Sequence, residues 1–161
     1  MEFIVAIGIV SILGALVLKV YTHSIERSDA VRCASNLRSL HTSLSAYIQD
    51  KGCWPQEPEA IWAANDNAAY EDWWMKELEP YGATEEVWQC RTIMRKVVSK
   101  SKDKRPRMHY VPTKFDEKPL TPYKWSTQPW LIEIGNMHGV GALICFPDGS
   151  VRTMDDVAGG R

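Results

Sequence analysis

The chain has 161 residues, 45% of them hydrophobic and 24% charged, with a formal net charge of -1. That length suits one head domain plus one long helix. The near-zero net charge gives no bulk electrostatic reason to bind nucleic acid.

Residues 3–18, FIVAIGIVSILGALVL, are sixteen uncharged and mostly apolar residues, with Glu2 just before them. A secretory signal peptide needs a basic start and a small-residue cleavage site. Here Met1-Glu2 is acidic, and Lys19-Val20-Tyr21-Thr22-His23 offers no such site. A buried core helix is compatible with the length, which falls short of the ~20 residues that span a bilayer. The run is apolar all round, however, and a small soluble domain rarely needs such a helix at its very end. The favoured reading is a membrane-inserted helix that also packs against other helices. Ile4, Ile7, Val10, Ile12, Leu13, Leu16 and Val17 supply bulk. Gly8, Ser11, Gly14 and Ala15 are small and allow a second helix to approach closely. A carboxylate such as Glu2 beside this helix calls for a partner cation.

No proline interrupts the chain between this run and residue 51. Over Ser28–Asp50, Cys33, Leu37, Leu40, Leu44, Tyr47 and Ile48 recur at helical spacing, while Arg32, Arg38, Ser39, His41 and Ser43 fall mainly elsewhere. Lys51-Gly52, with Pro55 close behind, predicts the stop. The helix therefore covers 1–51, with 1–20 as the membrane or filament-core half and 21–51 as the amphipathic half. About 50 residues at 1.5 Å each make it roughly 75 Å long. Residues 52–161 form the head.

In the head, Glu57–Glu86 carries nine acids (Glu57, Glu59, Asp66, Glu71, Asp72, Glu77, Glu79, Glu85, Glu86) against Lys76 alone. Arg91–Arg107 carries eight bases (Arg91, Arg95, Lys96, Lys100, Lys102, Lys104, Arg105, Arg107) against Asp103 alone. These are either solvated surfaces or complementary patches that steer identical subunits together. The basic run has no interleaved aromatic on which bases could stack, which argues against nucleic acid. Short helices are predicted near Glu59–Ala64 and Ala68–Leu78. Seven tryptophans, Trp54, Trp62, Trp73, Trp74, Trp88, Trp125 and Trp130, are read as core bulk or, alternatively, as a ligand-stacking site.

The four cysteines form no C-x-x-C pair, so a zinc ribbon is not indicated. Outside the cytoplasm a disulfide is permitted. Cys53 and Cys90, both in irregular stretches, are the expected bridge. Cys33 on the helix face and Cys145 in a strand pattern read as buried small hydrophobes. Prolines at 112, 119, 122 and 129 punctuate short extended pieces. Strands are predicted over Trp130–Ile134, Ala142–Phe146 and Val151–Met154. Pro147-Asp148-Gly149-Ser150 supplies a tight turn, so the sheet is antiparallel with one face on the long helix.

Glu2 through Leu18 resembles the N-terminal helix of type IV pilins and type II secretion pseudopilins. Cys33-Ala34-Ser35-Asn36-Leu37-Arg38, then Tyr47, Asp50, Gly52 and Pro55, resembles the helix exit of a pilin-like subfamily. His138, nine residues, then Asp148-Gly149, within NMHGVGALICFPDGSVRTM, resembles the prepilin-type proteins that carry this motif. Trp88-Gln89-Cys90 stands where that group has an aromatic followed by Cys-Pro, with Arg91 here in place of the proline. Residues 56–130 carry little that is diagnostic.

The resemblance implies an α+β, pilin-like fold: a long N-terminal helix packed on a small antiparallel sheet, with a loop-rich head. It implies a non-enzymatic subunit in the bacterial inner membrane, single-pass, with its head on the periplasmic or extracellular side. Its partners would be copies of itself, other pilins or pseudopilins, and a pilus or secretion assembly platform. Assembly would run through Glu2, Phe3, Ile4, Ile7, Gly8, Ser11 and Gly14, with Glu2 facing a neighbour's N-terminal amine. The family's basic leader and Gly-Phe cleavage junction do not precede Glu2. This implies an internal start methionine or a trimmed chain, and a chain beginning here could not be processed by a prepilin peptidase.

His138 and Asp148 do not read as a catalytic or metal dyad, because no third ligand or nucleophile accompanies them. They read as structural, with Asp148-Gly149 in the turn and the histidine starting a strand and bonding backbone or turn. No cofactor is expected. Calcium, which major pseudopilins bind in the head, is a weak option through Asp148, Asp155 and Asp156. The alternative function is a membrane-tethered binding module or hydrolase. It needs one pocket that gathers His138, Asp148 and several tryptophans.

Overall fold

The computed structural model describes residues 2–64, 66–97, 106–118, 120–139 and 141–159; within residues 2–23, side chains are described only at Ile7, Gly8, Leu13, Gly14, Val17 and Tyr21. Helix α1, Glu2–Lys51, is continuous for 50 residues. It ends at Gly52, whose φ of 74° is the left-handed value that favours glycine and whose N–H donates to the Ile48 carbonyl at 2.9 Å.

The rest wraps around the second half of α1. Helices α2 (Glu59–Ala64) and α3 (Asn67–Leu78) follow the loop at Pro55. Asp66 caps α3 by accepting from the Ala68 and Ala69 N–H groups. Two short 3-10 turns, Glu79–Tyr81 and Glu85–Trp88, lead to helix α4, Arg91–Val97. Strands β1 (Tyr110–Pro112), β2 (Leu131–Glu133), β3 (Leu143–Cys145) and β4 (Val151–Thr153) form one antiparallel sheet in the order β1-β2-β3-β4. Helices α5 (Thr121–Lys124) and α6 (Met154–Ala158) complete the described elements. The fold is thus α+β, a long N-terminal helix with a four-stranded antiparallel sheet against it. Strand β1 and helices α4, α5 and α6 were not foreseen. Each is short, so periodicity has too few residues to register.

The core lies between α1 and the head. Cys33, Leu37, Leu40 and Leu44 are fully buried. Trp54, Trp74, Trp88 and Trp130 are at most 1% exposed, so four of the indoles are core bulk. Trp54 sits at the centre, with Phe115, Trp130 and Trp74 at ring-centroid distances of 4.8, 5.2 and 6.4 Å, all edge-on. His41, on the same helix, stacks on Trp130 at 4.7 Å. Its Nε2–H donates to the Pro147 carbonyl at 2.9 Å and so fastens the β3–β4 turn to α1. The acidic and basic runs meet inside one chain: Arg107 pairs with Asp72 and approaches Glu71 at 3.8 Å.

The first half of α1 differs. Ile7, Leu13, Val17 and Tyr21 are 63%, 56%, 66% and 62% exposed. Gly8 and Gly14 are exposed, and a Cβ on either would meet nothing within 4 Å. The side chains of Glu2, Phe3, Ile4 and Ser11 lie outside the described residues. Among the described residues no helix is long and apolar enough to cross a membrane.

Candidate functional site

Four side chains from separate parts of the chain converge where α1 enters the head. Among the described residues, Cys33 is the first fully buried one along α1. Cys90 immediately precedes α4, and its carbonyl accepts the Met94 N–H in that helix's first turn. Its own N–H donates to His109 Nδ1 at 2.8 Å, and the His109 N–H returns to the Trp88 carbonyl at 2.8 Å. Burial lowers the pKa of His109 and keeps it neutral, with its Nε2–H donating to the Pro106 carbonyl. This clamp sets the Cys90 backbone. Glu133 ends β2. His138 lies in the β2–β3 loop, which Asn136 shapes by accepting from the Gly139 and Gly141 N–H groups, both at 3.1 Å.

The sulfurs of Cys33 and Cys90 are 2.7 Å apart. His138 Nε2 lies 3.4 Å from Cys90 Sγ and 3.1 Å from Glu133 Oε1. The four ligand-type atoms fall within 4.8 Å of one another, the one such group of three or more among the described residues. Both the His138 and Glu133 side chains are fully buried. Glu133 Oε2 accepts the Leu143 N–H at 3.2 Å, so each carboxylate oxygen has a partner. The other ring nitrogen, Nδ1, is 3.5 Å from Thr92 Oγ1, and the Thr92 hydroxyl donates to Asp29 at 3.4 Å. Arg95 pairs with Asp29 behind it.

The charges follow from this geometry. Contact with Cys90, and then with Glu133, raises the His138 pKa to about 9, so the ring is an imidazolium facing a carboxylate. A buried pair of opposite charges with its remaining atoms hydrogen-bonded avoids the cost of an uncompensated ion. The contact from Cys90 lowers the Cys33 pKa. Contact with Cys33, then burial, raises that of Cys90.

Several expectations change. Cys90 meets Cys33 instead of Cys53, and no S–S bond is closed between any of the four cysteines in the structure. Cys53 is half-buried just past the end of α1, next to Gly52. Cys33 wins because its place on the inward helix stripe points it at the start of α4. His138 does not start a strand or bond to the turn; it bonds the side chains of Glu133, Cys90 and Thr92. The reason is Glu133, five residues away, a buried acid that needs a cation. His138 and Asp148 are not brought together. Asp148 stays in the β3–β4 turn, where Oδ1 accepts the Ser150 N–H at 2.9 Å, and Gly149 takes a φ of 75°. Asp148 and Asp156 share a shallow cleft of about 410 Å³ with Arg152, while Asp155 lies against Gly141. The three aspartates do not converge as a ligand set among the described residues. The signal that reasoning from sequence missed was Glu133 itself, an acid at an inward strand position two residues after buried Leu131.

The chain matches no protein-family model, no curated protein and no solved structure.

Proposed function

We propose that this chain is a pilin-like, non-enzymatic subunit that assembles through α1 into a type IV pilus or type II secretion filament. Its anchor would sit in a bacterial inner membrane, with the head on the periplasmic or extracellular side. One observation carries the reading: a single unbroken helix whose second half is the core of the head and whose first half displays Ile7, Leu13, Val17 and Tyr21. Apolar surface displayed this way marks a place for lipid or a neighbouring helix. The exposed glycines Gly8 and Gly14 add room for close helix approach. The alternative of a ligand-stacking or hydrolytic head has less support, since four indoles are consumed by the core and His138 and Asp148 serve separate stations.

Full-length chain is expected to fractionate with membranes, and chain lacking residues 1–23 to be a soluble monomer. Glu2→Ala should abolish filaments while the head stays folded. Recovery of full-length protein as a detergent-free soluble monomer, or unchanged filament yield from Glu2→Ala, overturns the reading.

A further inference from the structure

We infer that Cys33 and Cys90 form a disulfide that welds α1 to the head at the point where the helix leaves it. This goes beyond the assembly reading and does not depend on it. The sulfurs stand 2.7 Å apart, closer than the about 3.5–4.0 Å at which even smaller non-bonded carbon atoms rest. Two unlinked thiols do not settle there. Two chemistries could bring them together: a covalent bond or a shared metal ion.

The arrangement of the neighbours decides between them. A tetrahedral thiolate site with metal–sulfur bonds of about 2.3 Å needs its sulfurs roughly 3.8 Å apart, so an ion would have to push these apart by about 1 Å. A disulfide needs about 2.0 Å, a smaller movement than the one an ion would require. Glu133 and His138 do not wait for an ion either. The carboxylate is shared between the His138 Nε2–H and the Leu143 N–H, and His138 Nδ1 faces Thr92. Once the thiols are joined, the buried group carries one imidazolium and one carboxylate and is neutral. Two thiolates in the same place would leave excess negative charge in the core, which is costly.

The oxidant is a small-molecule or protein disulfide. One cysteine thiolate attacks it, breaking its S–S bond and releasing one thiol. The second cysteine then attacks the protein-bound sulfur, forms the Cys33–Cys90 bond and releases the other thiol. The two protons and two electrons of the protein thiols end on the reduced partner. Both sulfurs are fully buried, so the exchange takes place before the head closes over α1. The bond then spans 57 positions of sequence, and pull along α1 enters the head through a covalent link.

The test is to refold the full chain in detergent with a mixture of oxidised and reduced glutathione, then denature and alkylate it without reduction. Two thiols, those of Cys53 and Cys145, should react, and peptide mapping should recover Cys33 joined to Cys90. Reductant should lower the melting midpoint of this material on the order of 10 °C, and should not affect Cys33→Ala/Cys90→Ala. The Cys53→Ala chain should form the same link. Four reactive thiols, or Cys90 joined to Cys53, overturns the inference. So does one zinc per chain retained through gel filtration with both thiols reactive only after chelation, which would make the group a metal site.

Discussion

Residues 7–21 and 33–48 belong to one helix and obey the same backbone rules, yet their side chains meet opposite surroundings. In the second segment the apolar residues fall on one stripe, and Leu37, Leu40 and Leu44 are fully buried by the head. In the first, Leu13 and Val17 are more than half exposed. A striped helix needs one covering surface, and the sheet together with α3, α4 and the two 3-10 turns provides it. A helix that is apolar all round needs a surrounding medium, which a head this small cannot supply. The same secondary structure therefore serves as the core of the head in one half and as an outward-facing surface in the other.

The largest test of that contrast is truncation on each side of it. Trp130→Ala, in the core under His41, is expected to cost about 3–5 kcal/mol in urea denaturation of the full chain in detergent. Leu13→Ala should stay within about 0.5 kcal/mol in the same measurement. A comparable loss at both positions would mean that the first half of α1 packs on its own head.

A smaller effect should come from pH, at the junction of the two halves. With the Cys33 and Cys90 thiols kept reduced, the His138 pKa is raised to about 9 in the fold because Cys90, then Glu133, favours its charged ring. A raised pKa gives stability that is complete below the unfolded value, about 6.5, and is lost as pH climbs through 9. The denaturation midpoint should therefore fall between these limits, by at most about 1.4 kcal/mol per pH unit. His138→Gln should flatten the profile. A wild-type midpoint that does not change across this window would rule out a buried imidazolium.

The smallest effect is one substitution with opposite signs in the two regions. Gly141 has a φ of 85°, and an added Cβ would lie 2.9 Å from Asp155 Oδ1. Gly141→Ala should therefore cost about 1–2 kcal/mol. Gly8 is in open helix, where alanine should add about 0.5–1 kcal/mol to the monomer. If assembly uses the close approach that Gly8 allows, filament yield should drop even as the monomer melts higher. A higher melting point with unchanged filaments would remove Gly8 from the interface.

Much of the scaffold was legible because its causes are local. The α1 stripe, its end at Gly52, the helix near Ala68–Leu78 and the turn at Pro147–Ser150 each depend on residues a few positions apart. Strands β2, β3 and β4 were readable for the same reason, each matching a predicted run to within one residue at either end. Helix α4 was hidden, since its seven residues sit in a run dominated by basic charge.

The buried cluster could not be read this way. Cys33 and Cys90 are 57 positions apart, and Cys90 and His138 are 48 apart. Spacing alone made Cys53 look the natural partner of Cys90, because both lie in irregular stretches. The outcome depended on which face of α1 the head covers and on where α4 begins, and neither is encoded near Cys90. The chain alone determined a long helix, its two characters and an antiparallel sheet, because hydrophobic period and turn chemistry act over a few residues. Which thiols meet, and that His138 answers Glu133 and not Asp148, was decided by packing, because burying a charge forces a partner to be found wherever the fold provides one.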